Sequence, residues 1–150
     1  MAARRSSLLA LALAGLLAFA AGCGPAAAPV QHDLGMAPMS DMAPEVLQAP
    51  ANVREAYQFA FANPEILQQI PCYCGCVSQG HKSNYDCYVA GQDASGQFIH
   101  EPHALTCLVC VDITQDSMRL LRAGTSPGDI RVYVDVTYAR FGPSNMAPAP

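Results

Sequence analysis

Residues 70–76 of the 150-residue chain read IPCYCGC, which places Cys72, Cys74 and Cys76 within five positions. The preceding residues NPEILQQ predict a short helix that starts at a proline and ends at Pro71. In extended backbone, alternate residues share one face, and Gly75 permits a bend through which three sulfur atoms can converge. The stretch therefore predicts a cysteine-rich loop that follows a helix.

The segments on either side of this loop have mainly helical patterns. Apolar residues recur at helical spacing over 52–63 and 106–123, which predicts one helix before the loop and one after it. Ser-Pro-Gly-Asp at 126–129 is a helix start, although the alternating apolar residues of 130–136 also fit a strand. The start signal favours the helix for this segment. The turn-rich stretch GQDASGQFIHEPH at 91–103 holds at most a short hairpin. The fold class predicted is mainly α: one small helical domain with a cysteine-rich loop region.

The N-terminal residues MAARRSSLLALALAGLLAFAAGCG have the features of an export signal. Two arginines precede an apolar run over 8–21 that is too short for a membrane span. The residues Ala-Ala-Gly-Cys at 20–23 resemble the lipobox of bacterial lipoproteins, in which the cysteine becomes the lipidated N-terminus. We expect residues 1–22 to be a lipoprotein signal peptide, Cys23 to be the lipidation site, and the protein to be extracytoplasmic and lipid-anchored to a bacterial membrane. A secreted protein with an unmodified Cys23 is the alternative.

Composition divides the rest of the chain into three parts. Residues 23–50 are rich in Ala, Pro and Met and predict a disordered tether, residues 51–142 form the cysteine-rich domain, and residues 143–150 predict a disordered tail. A domain of this size makes a modest core and benefits from a disulfide or metal staple. The formal net charge of −4 at pH 7 argues against nucleic acid as a partner.

Six cysteines follow Cys23, in the order C-x-C-x-C, a single cysteine, and C-x-x-C. Cysteines at i and i+3 share one face of a helix, so both motifs have spacings that suit chelation. Two histidines lie near these motifs, and His100 is a weaker candidate. The predicted metal ligands are Cys72, Cys74, Cys76, Cys87, Cys107, Cys110, His81 and His103.

The thiolate ligands favour a soft metal, with copper(I) ahead of zinc. A four-sulfur zinc site usually has two C-x-x-C knuckles, and here Cys107 and Cys110 supply one. A C-x-C-x-C turn instead allows adjacent sulfurs to bridge more than one ion. In the tether, Met36, Met39 and Met42 recur at three-residue spacing and resemble the methionine-rich segments of exported copper-handling proteins. We treat them as accessory ligands, although they also fit an Ala/Pro/Met linker.

The strings PCYCGC, GHKSNYDCY and CLVC together resemble the PCYCGC-motif family of bacterial lipoproteins. The resemblance covers roughly residues 52–141 and is most specific at the hexapeptide 71–76, with Gly80, His81 and Cys87. It implies an exported protein, lipid-anchored in many members, with no assigned reaction.

Two other functions fit the same cysteines. Six thiols in an oxidising compartment can form a disulfide framework, in which case the protein is a structural or interaction lipoprotein without metal. Alternatively, Cys107 and Cys110 can act in thiol–disulfide exchange, since a thiol at a helix N-terminus has a lowered pKa. The sequence has no Ser/His/Asp or paired-carboxylate pattern, so we do not expect an enzyme. The expected partners are the membrane, a metal ion, and a copper-handling or redox protein.

Overall fold

The computed structural model describes residues 33–148, so the predicted signal peptide, Cys23 and the first part of the tether lie outside the described residues. This part of the chain is mainly helical, which confirms the predicted fold class. The α-helices are α1 (Pro44–Leu47), α2 (Ala51–Ala62), α3 (Pro64–Leu67), α4 (Leu108–Arg122) and α5 (Pro127–Tyr138). Short 3-10 turns cover Met39–Asp41, Cys76–Gln79, Tyr85–Cys87, Pro102–Leu105 and Ala139–Phe141. None of these helices is long and apolar enough to cross a membrane.

The three longer helices form the scaffold: α4 packs against α2 on one side and α5 on the other. Most of the apolar residues that predicted α2 and α4 face the shared core, where Tyr57 and Met118 are fully buried, whereas Leu108 at the start of α4 is 68% exposed. The helix rather than the strand is confirmed for 127–138. Its start signal acts as expected, because the Ser126 hydroxyl accepts a hydrogen bond from the Asp129 amide at 3.2 Å.

A two-stranded antiparallel sheet connects the cysteine-rich loop to α4. Strand β1 (Val89–Gln92) pairs with β2 (Phe98–His100), and the register shifts between Val89 and Gly91. This is the short hairpin that the turn-rich stretch allowed. It orders the chain between Cys87 and the turn that carries His103.

The structure differs from the predicted tether over residues 33–50, which pack against the domain. Met42 and Val46 are buried in the hydrophobic core, and the Ala37 amide donates a hydrogen bond to the Gln58 carbonyl at 2.9 Å. The prediction of disorder for residues 33–50 is wrong, because buried apolar side chains and hydrogen bonds to distant residues attach this segment to the domain despite its Ala/Pro composition. Residues 23–32 lie outside the described chain.

The predicted disordered tail is also ordered over residues 143–148. Its backbone passes so close to the cysteine-rich loop that a Cβ atom on Gly142 would lie 2.9 Å from the Tyr73 carbonyl oxygen. Further on, the Asn145 amide donates a hydrogen bond to the Cys72 carbonyl at 3.1 Å. Tertiary hydrogen bonds therefore order a segment whose composition is that of a linker.

Candidate metal centre

The cysteines that converge come from three separate parts of the chain. Cys72, Cys74 and Cys76 lie on the loop after α3, Cys87 ends the 3-10 turn Tyr85–Cys87, and Cys110 lies in the first turn of α4. Between the second and third of these cysteines, Gly75 has a φ of +81°, the left-handed conformation that glycine adopts at low cost. The loop therefore bends at the glycine identified in the sequence.

Three of the sulfur atoms form a nearly equilateral triangle. Sγ of Cys72 lies 3.3 Å from Sγ of Cys74 and 3.5 Å from Sγ of Cys110, and the Cys74–Cys110 distance is also 3.5 Å. Cys76 and Cys87 form a second close pair at 3.9 Å. All six cysteines of the domain are free thiols, and these distances exceed the disulfide bond length of about 2.05 Å. They are close to the separation of about 3.8 Å expected between sulfurs around a tetrahedral zinc ion.

One imidazole joins the sulfur atoms. Nε2 of His103 lies 3.3 Å from Sγ of Cys74. His103 is in the 3-10 turn Pro102–Leu105, and the Glu101 carboxylate caps this turn by accepting a hydrogen bond from the His103 amide at 3.2 Å. The cap fixes the backbone from which the imidazole extends toward the thiols.

The ligand atoms fall into two groups of four, and within each group every atom lies within 4.8 Å of the others. Two ligands on opposite sides of one ion, each about 2.3 Å away, are about 4.6 Å apart, so either group is compact enough to surround an ion. The first ligand group is Cys72, Cys74, Cys76 and Cys87. The second ligand group is Cys74, Cys87, Cys110 and His103.

Two of the predicted ligands lie beside these groups but in neither of them. Cys107 is the half-buried residue that precedes α4. His81 is 8% exposed, and its ring packs edge-on against His103 with centroids 5.3 Å apart. Its Nε2 lies 4.0 Å from the Glu101 carboxylate, and its buried Nδ1 has no hydrogen-bond partner among the described residues.

The three methionines and His100 have packing environments of their own. Met42 is buried in the core, Met36 packs against it, and Met39 is 37% exposed. Nε2 of His100 accepts a hydrogen bond from the Ala43 amide at 3.0 Å, and its ring lies 4.5 Å from the Phe61 ring. Met42 and His100 thus help to attach residues 36–46 to the domain.

Hydrogen bonds between the thiols favour the thiolate form at two positions. Donation from Cys110 lowers the pKa of the Cys72 thiol to about 4. Cys107, Cys110 and Cys72 in turn hold the pKa of Cys74 well below its usual range. The pKa of Cys87 is raised, first because its hydrogen bond to Cys110 favours its protonated form. The cluster therefore shares its protons unequally, because a sulfur that donates a hydrogen bond keeps its proton and lowers the pKa of the sulfur that accepts it.

Asn145, which sequence reasoning missed, holds the loop from outside the cluster. Its side-chain Oδ1 accepts a hydrogen bond from the backbone amide of Cys72 at 2.7 Å, and its backbone amide donates to the Cys72 carbonyl at 3.1 Å. Its Nδ2 donates to the His81 carbonyl at 3.3 Å and lies 3.8 Å from Sγ of Cys76. No local signal identifies this residue, because it lies 73 positions from Cys72 in a Pro- and Ala-rich tail.

A buried polar network supports the cluster from the α4 side. The Tyr88 hydroxyl donates to the Cys110 carbonyl at 2.9 Å and lies 2.8 Å from the Thr114 hydroxyl. The Asn84 side chain donates to the same threonine at 2.7 Å. Because Asn84 and Tyr88 flank Cys87 in sequence, this network joins the segment that carries Cys87 to the helix that carries Cys110.

Comparison with known families identifies the chain by its motif. The model of the family described as proteins of unknown function with a PCYCGC motif matches residues 26–150, so the chain belongs to this family. Comparisons with curated proteins and with solved structures give no match. The family description assigns no activity.

Proposed function

We propose that this PCYCGC-motif protein is an exported, lipid-anchored protein that binds a soft metal, copper(I) foremost, for metal trafficking or sequestration. The observation that carries the proposal is the convergence of five thiols and one imidazole into two compact ligand groups. Soft sulfur ligands select copper(I) and zinc over the hard cations that oxygen ligands bind.

The contact pattern of the thiols favours a metal site over a disulfide staple. Cys72, Cys74 and Cys110 are in mutual contact, so a disulfide between any two of them leaves the third to pair with a cysteine outside this triangle. A metal ion uses all three at once.

Copper(I) fits the ligands better than zinc does for two reasons. Adjacent sulfurs of the C-x-C-x-C loop can bridge more than one ion, as in copper(I)–thiolate clusters, whereas a structural zinc site usually has two C-x-x-C motifs. The predicted export signal also directs the protein to a compartment where copper traffic takes place. Zinc remains the competing ion, since the first ligand group offers the four sulfurs of a structural zinc site.

The exposure of the ligands suits transfer as well as storage. Cys72, Cys76, Cys87 and Cys110 are buried, whereas Cys74 is half-buried. His103, at the same edge of the cluster, is also half-buried. An ion can therefore enter or leave at this edge without unfolding the domain, and the partner proposed there is a copper-handling or redox protein.

The metal proposal is tested on protein purified anaerobically and analysed by native mass spectrometry, elemental analysis and thiol alkylation. We expect bound copper after addition of copper(I), with protection of the cysteines from alkylation. The variant Cys74→Ser removes a ligand common to both groups and should lose copper affinity, whereas Cys107→Ser, outside both groups, should retain it. A mass lower by six hydrogens, with no metal and no alkylation, would mean three disulfides and would overturn the proposal.

The anchor is tested separately by cell fractionation. Cys23→Ala should move the exported protein from the membrane fraction to the soluble fraction and leave its copper binding unchanged, because Cys23 precedes the folded domain. Unchanged partitioning would refute lipidation at Cys23 without affecting the metal proposal.

A further inference from the structure

The two ligand groups have two of their four ligand atoms in common. They share Cys74 and Cys87, while Cys72 and Cys76 belong to the first group and Cys110 and His103 to the second. Six ligand atoms are therefore arranged as two sets of four with two atoms in common. This is the arrangement of a site in which two ions share bridging ligands.

One ion cannot use this ligand set completely. A zinc or copper(I) ion takes at most four protein ligands, so a single ion would leave two of the six without metal. If the first group is filled, the unused pair includes the fully buried Cys110. A thiolate can bridge two soft ions because its sulfur has more than one lone pair, and the shared residues Cys74 and Cys87 are both thiols.

We propose that the centre binds two metal ions, one in each ligand group, bridged by the sulfur atoms of Cys74 and Cys87. This inference rests on the proposed function and specifies its stoichiometry. Binding of the second ion adds one further thiolate ligand, Cys110, and the positive charge of the ion compensates the negative charge of that thiolate. With copper(I), the buried negative charge of the centre does not increase when the second ion binds.

The two ions differ in accessibility. Cys72 and Cys76, the ligands specific to the first group, are 0% and 1% exposed. His103, specific to the second group, is half-buried and reaches the edge of the cluster. A chelator in solution therefore reaches the second ion first, and the two ions are expected to leave in sequence rather than together.

The experiment titrates the anaerobic, reduced full-length protein with copper(I) and counts bound ions by native mass spectrometry. The expected count is two for the unaltered protein. The variant His103→Ala, which removes a ligand of the second group, should bind one. The matched variant His81→Ala removes the neighbouring imidazole, which lies outside both groups, and should still bind two.

Two further measurements keep the result interpretable. Cys110→Ser tests the second group from α4 and should also reduce the count to one, with the circular dichroism spectrum confirming that each variant is folded. X-ray absorption of the copper-loaded protein should show a copper–copper scattering shell, and a copper(I) chelator should remove one ion before the other.

The outcomes separate this inference from the proposed function. A single ion bound to the unaltered protein would overturn the two-ion centre and leave copper binding intact. Absence of any bound ion would overturn both proposals. A count of two that persists in both His103→Ala and Cys110→Ser would refute the assignment of the second ion to this group.

Discussion

The contact of Asn145 with the cysteine loop leads to a quantitative prediction. Asn145→Ala removes the oxygen that accepts the hydrogen bond from the Cys72 amide at 2.7 Å. Cys72 is fully buried, so this amide is left without a partner in the folded state. A buried donor without an acceptor costs about 1–3 kcal/mol, and we expect the free energy of unfolding to fall by about 2 kcal/mol.

The loss should be measured by urea unfolding of the reduced, metal-free protein. For a domain of this size, 2 kcal/mol corresponds to a fall of about 1 M in the midpoint, with an unchanged m-value. The variant should also bind copper(I) more weakly, by about 10- to 100-fold, because residues that orient metal ligands contribute on that scale. Competition with a chromogenic copper(I) chelator measures this effect.

Two variants provide the controls. Asn145→Asp keeps the acceptor oxygen and removes the donation to the His81 carbonyl, so its loss of stability should be smaller than that of Asn145→Ala. Asn52→Ala changes the same residue type at an exposed position of α2 and should stay within about 0.5 kcal/mol of the unaltered protein. An unaltered midpoint for Asn145→Ala, or equal losses for the alanine and aspartate variants, would refute the proposed role of the Asn145 side chain.

Three further predictions follow from the packing. A chain that starts at Ala51 should have a free energy of unfolding lower than that of the unaltered protein by at least about 1.5 kcal/mol in urea, because it lacks the buried side chain of Val46, which is 1% exposed. Equal stability of the two chains would contradict the packing of residues 33–50 against the domain. Burial lowers the pKa of His100, whose Nε2 accepts a hydrogen bond from the Ala43 amide, so folding favours the neutral ring. The free energy of unfolding should therefore fall as the pH drops below about 6.5, the ordinary pKa of histidine, because the unfolded chain then binds the proton more readily. The urea midpoint should therefore decline more between pH 7.5 and 5.5 in the unaltered protein than in His100→Gln, and equal declines would count against this role. Gly75→Ala should cost about 1–2 kcal/mol because of the φ of +81°, and a stability equal to that of the unaltered protein would show that the loop relaxes.

The elements that the sequence predicted correctly have strong signals of short range. Ser126 and Pro127 start α5 through a cap that spans three residues, and this local signal identified a helix despite the alternating apolar pattern that follows. The short helix before Pro71 was predicted in the same way, whereas the turn-rich stretch only allowed the hairpin that the structure contains. Such features depend on residues a few positions apart, which a single sequence displays directly.

The segments that the sequence predicted wrongly are those whose order comes from distant contacts. Residues 33–50 and 143–148 have the composition of linkers, yet Val46 is buried in the core and Asn145 binds the backbone of Cys72. Composition reports the average tendency of a segment to bury apolar surface. It does not reveal that one valine or one asparagine has a partner elsewhere in the fold.

The sequence by itself determined that this chain carries soft ligands in chelating motifs, because thiol chemistry and C-x-C-x-C spacing are local properties. The tertiary structure alone decided which ligands converge: Cys110 lies 38 positions from Cys72 and His103 lies 29 positions from Cys74, and both meet the loop. Cys107 and His81, equally close to cysteine motifs in sequence, lie outside both ligand groups. The physical reason is that packing of α4 and of the Pro102–Leu105 turn fixes the direction of each side chain, and sequence proximity does not.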